Sequence, residues 1–366
     1  LPRIAAVLPG DLILKASIAG PTQPAGEISL SGPKLRETLD WLGVETPPMP
    51  VGRLQSLELQ GKLAQTVTGL QANDLVFSID GQKGTGSASA IVGAPVAVTA
   101  ALQFDRLEID PYVPKPTTEP QALPPTVAPA AAAPPSVVPP DRIAPTFGLK
   151  LKVGKLVYRG ETLGGVEGDL AAQGGTLKVN VLKVADLLGA RFDVRGQVND
   201  IDTNPRFDVA FNAALPDTDR LLAYAGLPTF INGKTGAATA SGSMVGTPGA
   251  ITLRNATVTM LGATARANGA MVLGENFRFD FPNFGLEAQD AGRLVAAATG
   301  REQPGIGPLS AAGSFKGSAK SATFSGNLKA VGTAMSGQID ATLGKRPNIA
   351  VNLRIPNTLD LDNWLG

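Results

Sequence analysis

A mainly β fold is expected from this chain: an elongated repeat of antiparallel strands curling into an open groove, with short helices at the unit boundaries. Composition is the first reason, because hydrophobic residues make up 43% of the 366 but aromatics only 5%, beside 43 Gly and 30 Pro. That profile suits many short strands and turns rather than a few thick cores. The second is an alternation of apolar and polar residues over six to nine positions, the mark of strands with one apolar and one wet face. The third is recurrence. Blocks opening at Gly84, Gly189, Gly262 and Gly332 each run from a Gly plus a small residue through a strand to an acidic residue and an apolar cluster. Their starts lie 105, 73 and 70 residues apart, and the first gap holds an insertion, so the period is about 70 to 73 residues.

Taken in order, "GEISLSGPKLRETLDWLG" from Gly26 is a partial upstream copy of the block, in which Ser31 or Gly32 caps a short helix with Pro33 at its first position. Strands follow around Leu57 and Leu59, around Leu75, Phe77 and Ile79, and along Val96, Val98, Ala100, Leu102 and Phe104. Pro114 to Pro145 then carries eleven prolines in 32 residues without periodicity, which reads as a disordered or polyproline-like linker. Beyond it the alternation resumes at Leu177, Val179 and Val181, and at Val209, Phe211, Ala213 and Leu215; it returns at Phe277, Phe279 and Phe281, and at Ile349, Val351, Leu353 and Ile355. Asp217 caps "TDRLLAYAG", and Gly43, Gly226, Gly300 and Gly366 stand where a helix would end in a left-handed residue. The organisation expected is therefore repeat units over 1–113, a linker over 114–145 and continuing units over 146–366, each of about five strands and a helical turn or two.

Charge and residue usage narrow the function. Lys and Arg number 32 against 31 Asp and Glu, so no basic surplus exists to neutralise a phosphate backbone, and nucleic acid is not an expected partner. Neither His nor Cys occurs, which removes the commonest metal ligands, the usual neutral-pH base and every thiol nucleophile; no cofactor or metal and no catalysis are expected. The acid pairs Glu108/Asp110, Asp200/Asp202, Asp217/Asp219 and Asp360/Asp362 share an i, i+2 spacing. Paired carboxylates do glycosidase chemistry across a pocket, whereas four copies at unit boundaries read as caps and polar-face residues. "NGKTG" at Asn232 lacks the leading glycine of a phosphate loop, with Pro228 in its place, and "GTGSAS" at Gly84 reads as a turn between strands rather than a dinucleotide site. "NAT" at Asn255 is a formal glycosylation sequon that a bacterial envelope protein would ordinarily leave unused. No run approaches 18 consecutive apolar residues, and Leu1 to Gly10 lacks the form of a signal peptide.

Four motifs in order, "SLSGPKLRETLDWLGVETP" at Ser29, "LELQGKLA" at Leu57, "LVFSIDGQKGTGSASA" at Leu75 and "ALQFDRLEIDPYVP" at Ala101, resemble the bacterial AsmA family. The likeness is strongest from Gly26 to Pro114, and "VGKLVYRGETLGGVEGDL" at Val153 resembles the module that follows. The resemblance implies a protein of the Gram-negative periplasm, held in the inner membrane by an N-terminal helix absent from this sequence. It further implies an open β-groove carrying phospholipids between inner and outer membranes in support of outer-membrane integrity. The alternative it leaves open is a non-enzymatic scaffold for outer-membrane protein or lipopolysaccharide assembly.

Joined to the alternation, that resemblance gives a set of expected groove-lining residues: Leu57, Leu59, Leu75, Phe77, Ile79, Val96, Val98, Leu102, Leu177, Val179, Val181, Val209, Phe211, Phe277, Phe279, Phe281, Ile349, Val351 and Leu353. Their expected partners are phospholipid acyl chains, with the two membranes met through parts of the protein outside this sequence. A closed sandwich core is the competing reading of the same stripes.

Overall fold

A computed structural model describes residues 3–20, 24–41, 46, 49–93, 95–113, 145–201, 203–225, 235–274, 277–299, 305–342 and 348–355. The Pro/Ala-rich stretch and the helix-ending glycines Gly43, Gly226, Gly300 and Gly366 thus lie outside the described residues, as do Asp202, Asp360, Asp362 and Asn232. The chain divides into two compact units, Leu1–Gly160 with Ala172–Gly174, and Glu161–Ala171 with Gly175–Gly366.

In the first unit β1 (Arg3–Leu8), β2 (Leu12–Ala19) and β3 (Ala25–Gly32) precede the helix α1 (Leu35–Trp41). Then come β4 (Leu57–Gln65), β5 (Gly69–Ile79), β6 (Gln82–Ile91), β7 (Ala97–Glu108), a 3-10 turn at Asp110–Tyr112 and β8 (Thr146–Tyr158). Through β7 each strand pairs antiparallel with the next, whereas β8 lies parallel to β7. Parallel neighbours need a crossover of a dozen or more residues, and the chain from Ile109 to Pro145 supplies it. β8 follows the Pro/Ala-rich stretch in sequence but belongs with the strands before it.

The second unit holds β9 (Glu161–Gln173), β10 (Thr176–Leu187), β11 (Ala190–Asn199), β12 (Arg206–Leu215), α2 (Thr218–Ala225), β13 (Ala238–Thr247), β14 (Ala250–Met260), β15 (Ala263–Val272) and β16 (Arg278–Ala288). It continues with α3 (Ala291–Thr299), β17 (Leu309–Ser318), β18 (Ser321–Ala330), β19 (Thr333–Thr342) and β20 (Asn348–Arg354). From β10 to β20 every strand is antiparallel to its successor, and β9 pairs with β10. The helices occupy the β12–β13 and β16–β17 connections, so β13–β16 form one helix-bounded set of four strands. This set has four strands, where about five per unit were expected.

Three of the four recurring glycines, Gly189, Gly262 and Gly332, prove to be turn residues. Leu188–Gly189, Leu261–Gly262 and Val331–Gly332 all have both φ angles positive, between 49° and 87°, the geometry whose twist matches two-residue hairpins. Leu or Val at such a position costs about 1–2 kcal/mol, and the adjoining structure must hold it. These turns lie at the helix-bearing strand ends: a methyl group on Gly189 would come 3.0 Å from Pro216 Cγ, and one on Gly262 3.6 Å from an Arg293 guanidinium nitrogen.

The strands form one sheet that is not closed into a barrel. Among the described residues β1 pairs with β2 alone in the first unit, and β20 with β19 alone in the second. Bulges bend the strands midway, at Asp74 in β5, Asn255 in β14 and Pro282 in β16. Asp74 and Asn255 sit at φ 52° and 50°, which short polar side chains tolerate, and Pro282 is placed where the ladder skips a donor.

Candidate functional site

Residues directly opposite on paired strands point to the same side of a sheet, so the registers assign every strand residue to a face. In the first unit one ladder runs Ala6, Leu14, Leu30, Leu59, Phe77 and Gly84. The Phe77 and Phe104 rings meet edge to face at 5.4 Å above Gly84, and Phe104 pairs with Val153. The opposite face carries Glu58, Gln60, Lys62, Ser78, Thr85, Ser89 and Thr99, with Lys62 and Asp74 2.8 Å apart and the Ser89 and Thr99 hydroxyls 2.7 Å apart.

In the second unit the corresponding ladder crosses eleven strands: Val179, Gly196, Val209, Met244, Leu253, Gly269, Phe281, Phe315, Phe324, Ile339 and Val351. At ~4.8 Å per strand this apolar row extends about 50 Å. Its reverse carries cross-strand polar pairs, among them Arg266 with Glu287 at 3.2 Å and Thr323 donating to Asp340 at 2.7 Å.

Most of the expected lining residues fall on these two apolar faces. Leu57, Leu59, Leu75, Phe77, Ile79, Val98 and Leu102 share the face of the first unit. Leu177, Val179, Val209, Phe211, Phe279, Phe281, Ile349, Val351 and Leu353 share that of the second. Val96 and Phe277 lie just before β7 and β16; the Val96 carbonyl accepts the Thr146 N–H, and the Phe277 ring stands 6.0 Å from Phe279. Val181 does not follow its alternation. It sits in a bulge of β10, where the register skips from Val179 to Leu182, so that Leu182 and Val184 continue the apolar face opposite Val194 and Phe192.

Other members went unread. Phe147, Leu149, Leu151 and Val153 of β8 alternate with Gly148, Lys150 and Lys152, and that period was visible in the sequence. Phe284, Phe315 and Phe324 stand singly among small and polar residues, and only the register joins them: Phe315 lies 4.9 Å from both Phe279 and Phe284, and Phe324 6.3 Å from Phe284.

The apolar face is the more sheltered one. Phe77 and Phe324 are only 6% and 8% exposed, although among the described residues no second sheet within either unit covers that side. A single sheet shelters one of its faces by curling toward it, and inward glycines permit the bend. A methyl group on Gly269, at φ 154°, would come 2.1 Å from the Asp280 carbonyl oxygen, so only glycine fits.

The acids serve the strand ends. Asp80 accepts the N–H groups of Leu54, Gln55 and Ser56 and the Tyr112 hydroxyl at 2.7–3.0 Å. Burial opposes its ionisation, but these four donors outweigh it and hold the carboxyl below the usual range. Asp110 accepts the N–H groups of Arg159 and Gly160, and Glu108 pairs with Arg106 at 2.8 Å. Asp217 caps α2 through the Arg220 N–H, while Asp219 binds both the N–H and the hydroxyl of Thr235. "GTGSAS" lies inside β6, correcting the turn expected there: Gly84 and Gly86 face the apolar side, where Phe77 and Leu102 fill the space a side chain would take. A hollow of about 720 Å³ opens on the polar rows of the second unit beside Lys183, Arg191, Asp193 and Asn212. No group of three or more metal-ligating side chains occurs among the described residues.

No family model, curated protein or solved structure matches the chain.

Proposed function

We propose that this chain is a lipid-accommodating part of an AsmA-like envelope protein, its apolar sheet faces holding phospholipid acyl chains as they move between the inner and outer membranes across the periplasm. The observation that carries the reading is the eleven-strand apolar row from Val179 to Val351, unbroken by a charged side chain. A soluble domain normally buries such a face against a second layer. Each sheltered methylene is worth about 0.8 kcal/mol, and a bilayer offers the same, so transfer from bilayer to sheet is close to neutral. Near-neutrality suits a conduit, which must release what it holds. The row offers no polar anchor for a headgroup, in keeping with binding that is nonspecific for the acyl chain.

Native mass spectrometry of the protein after incubation with phospholipid vesicles tests the reading. Wild type is expected to carry phospholipid, and Phe281→Asp and Val351→Asp to lose it while keeping the fold. Val351 is 60% exposed, so a charge there meets solvent or lipid rather than a closed core. Thr252→Asp, on the exposed polar face, should leave the bound lipid unchanged. A wild-type protein that emerges free of lipid would sink the proposal.

A further inference from the structure

The strands of the first unit end very differently at their two extremities. At the end bearing α1, charged residues crowd the turns and strand termini: Asp11, Lys34, Glu37, Asp80, Glu108 and Asp110 among others. At the other end lie the starts of β1, β3, β5, β7 and β8, the ends of β2, β4 and β6, and the turns between them. Counting the described turn residues and the last two residues of each strand there, Arg3 is the single charged one. Large exposed apolar side chains occur at both ends, Val7, Trp41 and Val51 among them at the charged one, but at the uncharged end they cluster on two joined turns. Val67, at the tip of the β4–β5 turn, is 100% exposed, and Val92, in the β6–β7 turn, 73%. The two turns are joined by the Val92 N–H donating to the Thr68 carbonyl at 2.9 Å. Leu70, Ile91, Val96 and Phe147 are exposed beside them.

Leu70, Val96, Val98 and Phe147 are extensions of the apolar face, so that face runs on to the tips without an intervening polar rim. A protein-binding patch typically has an apolar centre within a polar rim. Protruding hairpin tips with fully exposed aliphatic side chains and no charge instead suit immersion in the apolar boundary of a bilayer.

We propose that the uncharged end of the first unit, led by Val67 and Val92, inserts into the surface of a lipid bilayer and joins the apolar sheet face to it. The inference rests on the lipid-accommodating reading. Because Arg3 is the sole charge among the described residues there, insertion depends on apolar contact and needs neither anionic lipid nor low salt.

Flotation with phosphatidylcholine vesicles, compared with vesicles also containing phosphatidylglycerol, tests this on the whole chain. Wild type is expected to float equally with both, at low and high salt. Val67→Asp combined with Val92→Asp should float at least about tenfold less. Val67→Ser with Val92→Ser, which adds no charge, should fall in the same direction by a smaller factor. Val51→Asp, equally exposed at 98% but in the connection after α1, should float like wild type. Circular dichroism melting checks that all variants keep the fold, and native mass spectrometry reads the lipid carried on the sheet. Loss of flotation with retained lipid supports the proposal. Undiminished flotation of both double variants, no flotation of wild type, or flotation that requires phosphatidylglycerol and disappears in salt overturns it. Flotation through Val67 and Val92 by a protein carrying no lipid would instead refute the groove while leaving the insertion standing.

Discussion

Two stretches of the second unit's apolar face share a backbone plan and differ in what fills it. Across β13 and β15 the inward residues are Ala238, Ala240, Gly242, Met244 and Gly246, then Ala263, Ala265, Ala267, Gly269 and Met271. Across β16 to β18 they include Phe279, Phe281, Phe284, Phe315 and Phe324, interleaved with Gly313, Gly317 and Gly326. In the second stretch the rings occupy the space the glycines leave, and a methyl group on Gly317 would lie 2.7 Å from Phe279 Cζ. In the first stretch the strand between β13 and β15, β14, sets Met260, Val258, Leu253 and Ile251 opposite those small residues, so aliphatic side chains rather than rings fill it. Glycine has one role in both, letting neighbouring backbones approach and the sheet bend, while aromatic cover is an addition confined to one. On the lipid reading the stretch without rings is the seat and the phenylalanines form an aromatic floor beside it.

The largest effect should come from breaking what the two stretches share. A methyl group on Gly326 would stand 2.3 Å from the Ala312 carbonyl oxygen and 2.7 Å from Gly313 Cα, both backbone atoms that cannot swing aside. Gly326→Val should therefore destabilise by about 3 kcal/mol or more, read as a lowered urea midpoint. A loss under about 1 kcal/mol would mean that the strands can part there and that curvature does not rest on the inward glycines.

Phe284→Ala comes next. Its ring touches Phe315 at 4.9 Å and Phe324 at 6.3 Å and is half-buried, so truncation should cost about 2 kcal/mol, below the 3–5 of a fully enclosed phenylalanine. An equal cost for Met244→Ala, in the small-residue stretch, would erase the distinction between the stretches. The reciprocal change, Ala265→Phe, carries the aromatic floor across. Ala265 is half-buried between Val258 and Leu286, and the open side leaves a ring room to lie, so stability should change by less than about 1 kcal/mol. The amount of phospholipid carried in native mass spectrometry should fall. Unchanged lipid with a ring at Ala265 would place the seat elsewhere.

How far the sequence foretold this arrangement depends on whether a residue's phase survives its strand. Val209, Phe211, Ile349, Val351 and Leu353 lie on strands without bulges and were legible from alternation alone. Val181 was misplaced, and Phe284 unread, because bulges in β10 and β16 shift the phase by one residue, an event no period-two pattern announces. Gly84 and Gly86 looked like a turn because their strand role depends on Phe77 and Phe104, one strand away to either side. Asp110 could be read as a boundary marker, but its carboxylate binds the N–H groups of Arg159 and Gly160 across an insertion, and nothing local encodes that contact. The exposed tips at Val67 and Val92 were equally silent, since which turns share an end follows only from the strand order.

The smallest expected effect concerns the connection carrying α3, where β16 passes to β17. Asp290 lies there, and the Gly292 N–H, first among its donors, and the Ile306 N–H hold its carboxyl below the usual range. A carboxyl whose folded pKa is depressed binds its proton more weakly than in the unfolded chain. Its contribution is therefore present above the unfolded pKa, near 3.8, and is lost as pH falls through the lower folded value. Asp290→Asn should lower the unfolding midpoint slightly at pH 7 and leave it unchanged below the folded pKa, so flattening the acid limb, because the neutral amide oxygen accepts the same N–H groups without the carboxylate's charge. The lipid carried should not change, since the residue lies off both apolar stretches. Were Asp290→Asn to alter lipid binding as strongly as Ala265→Phe, the contrast between the stretches would belong to the anchoring of their ends rather than to the side chains that line them.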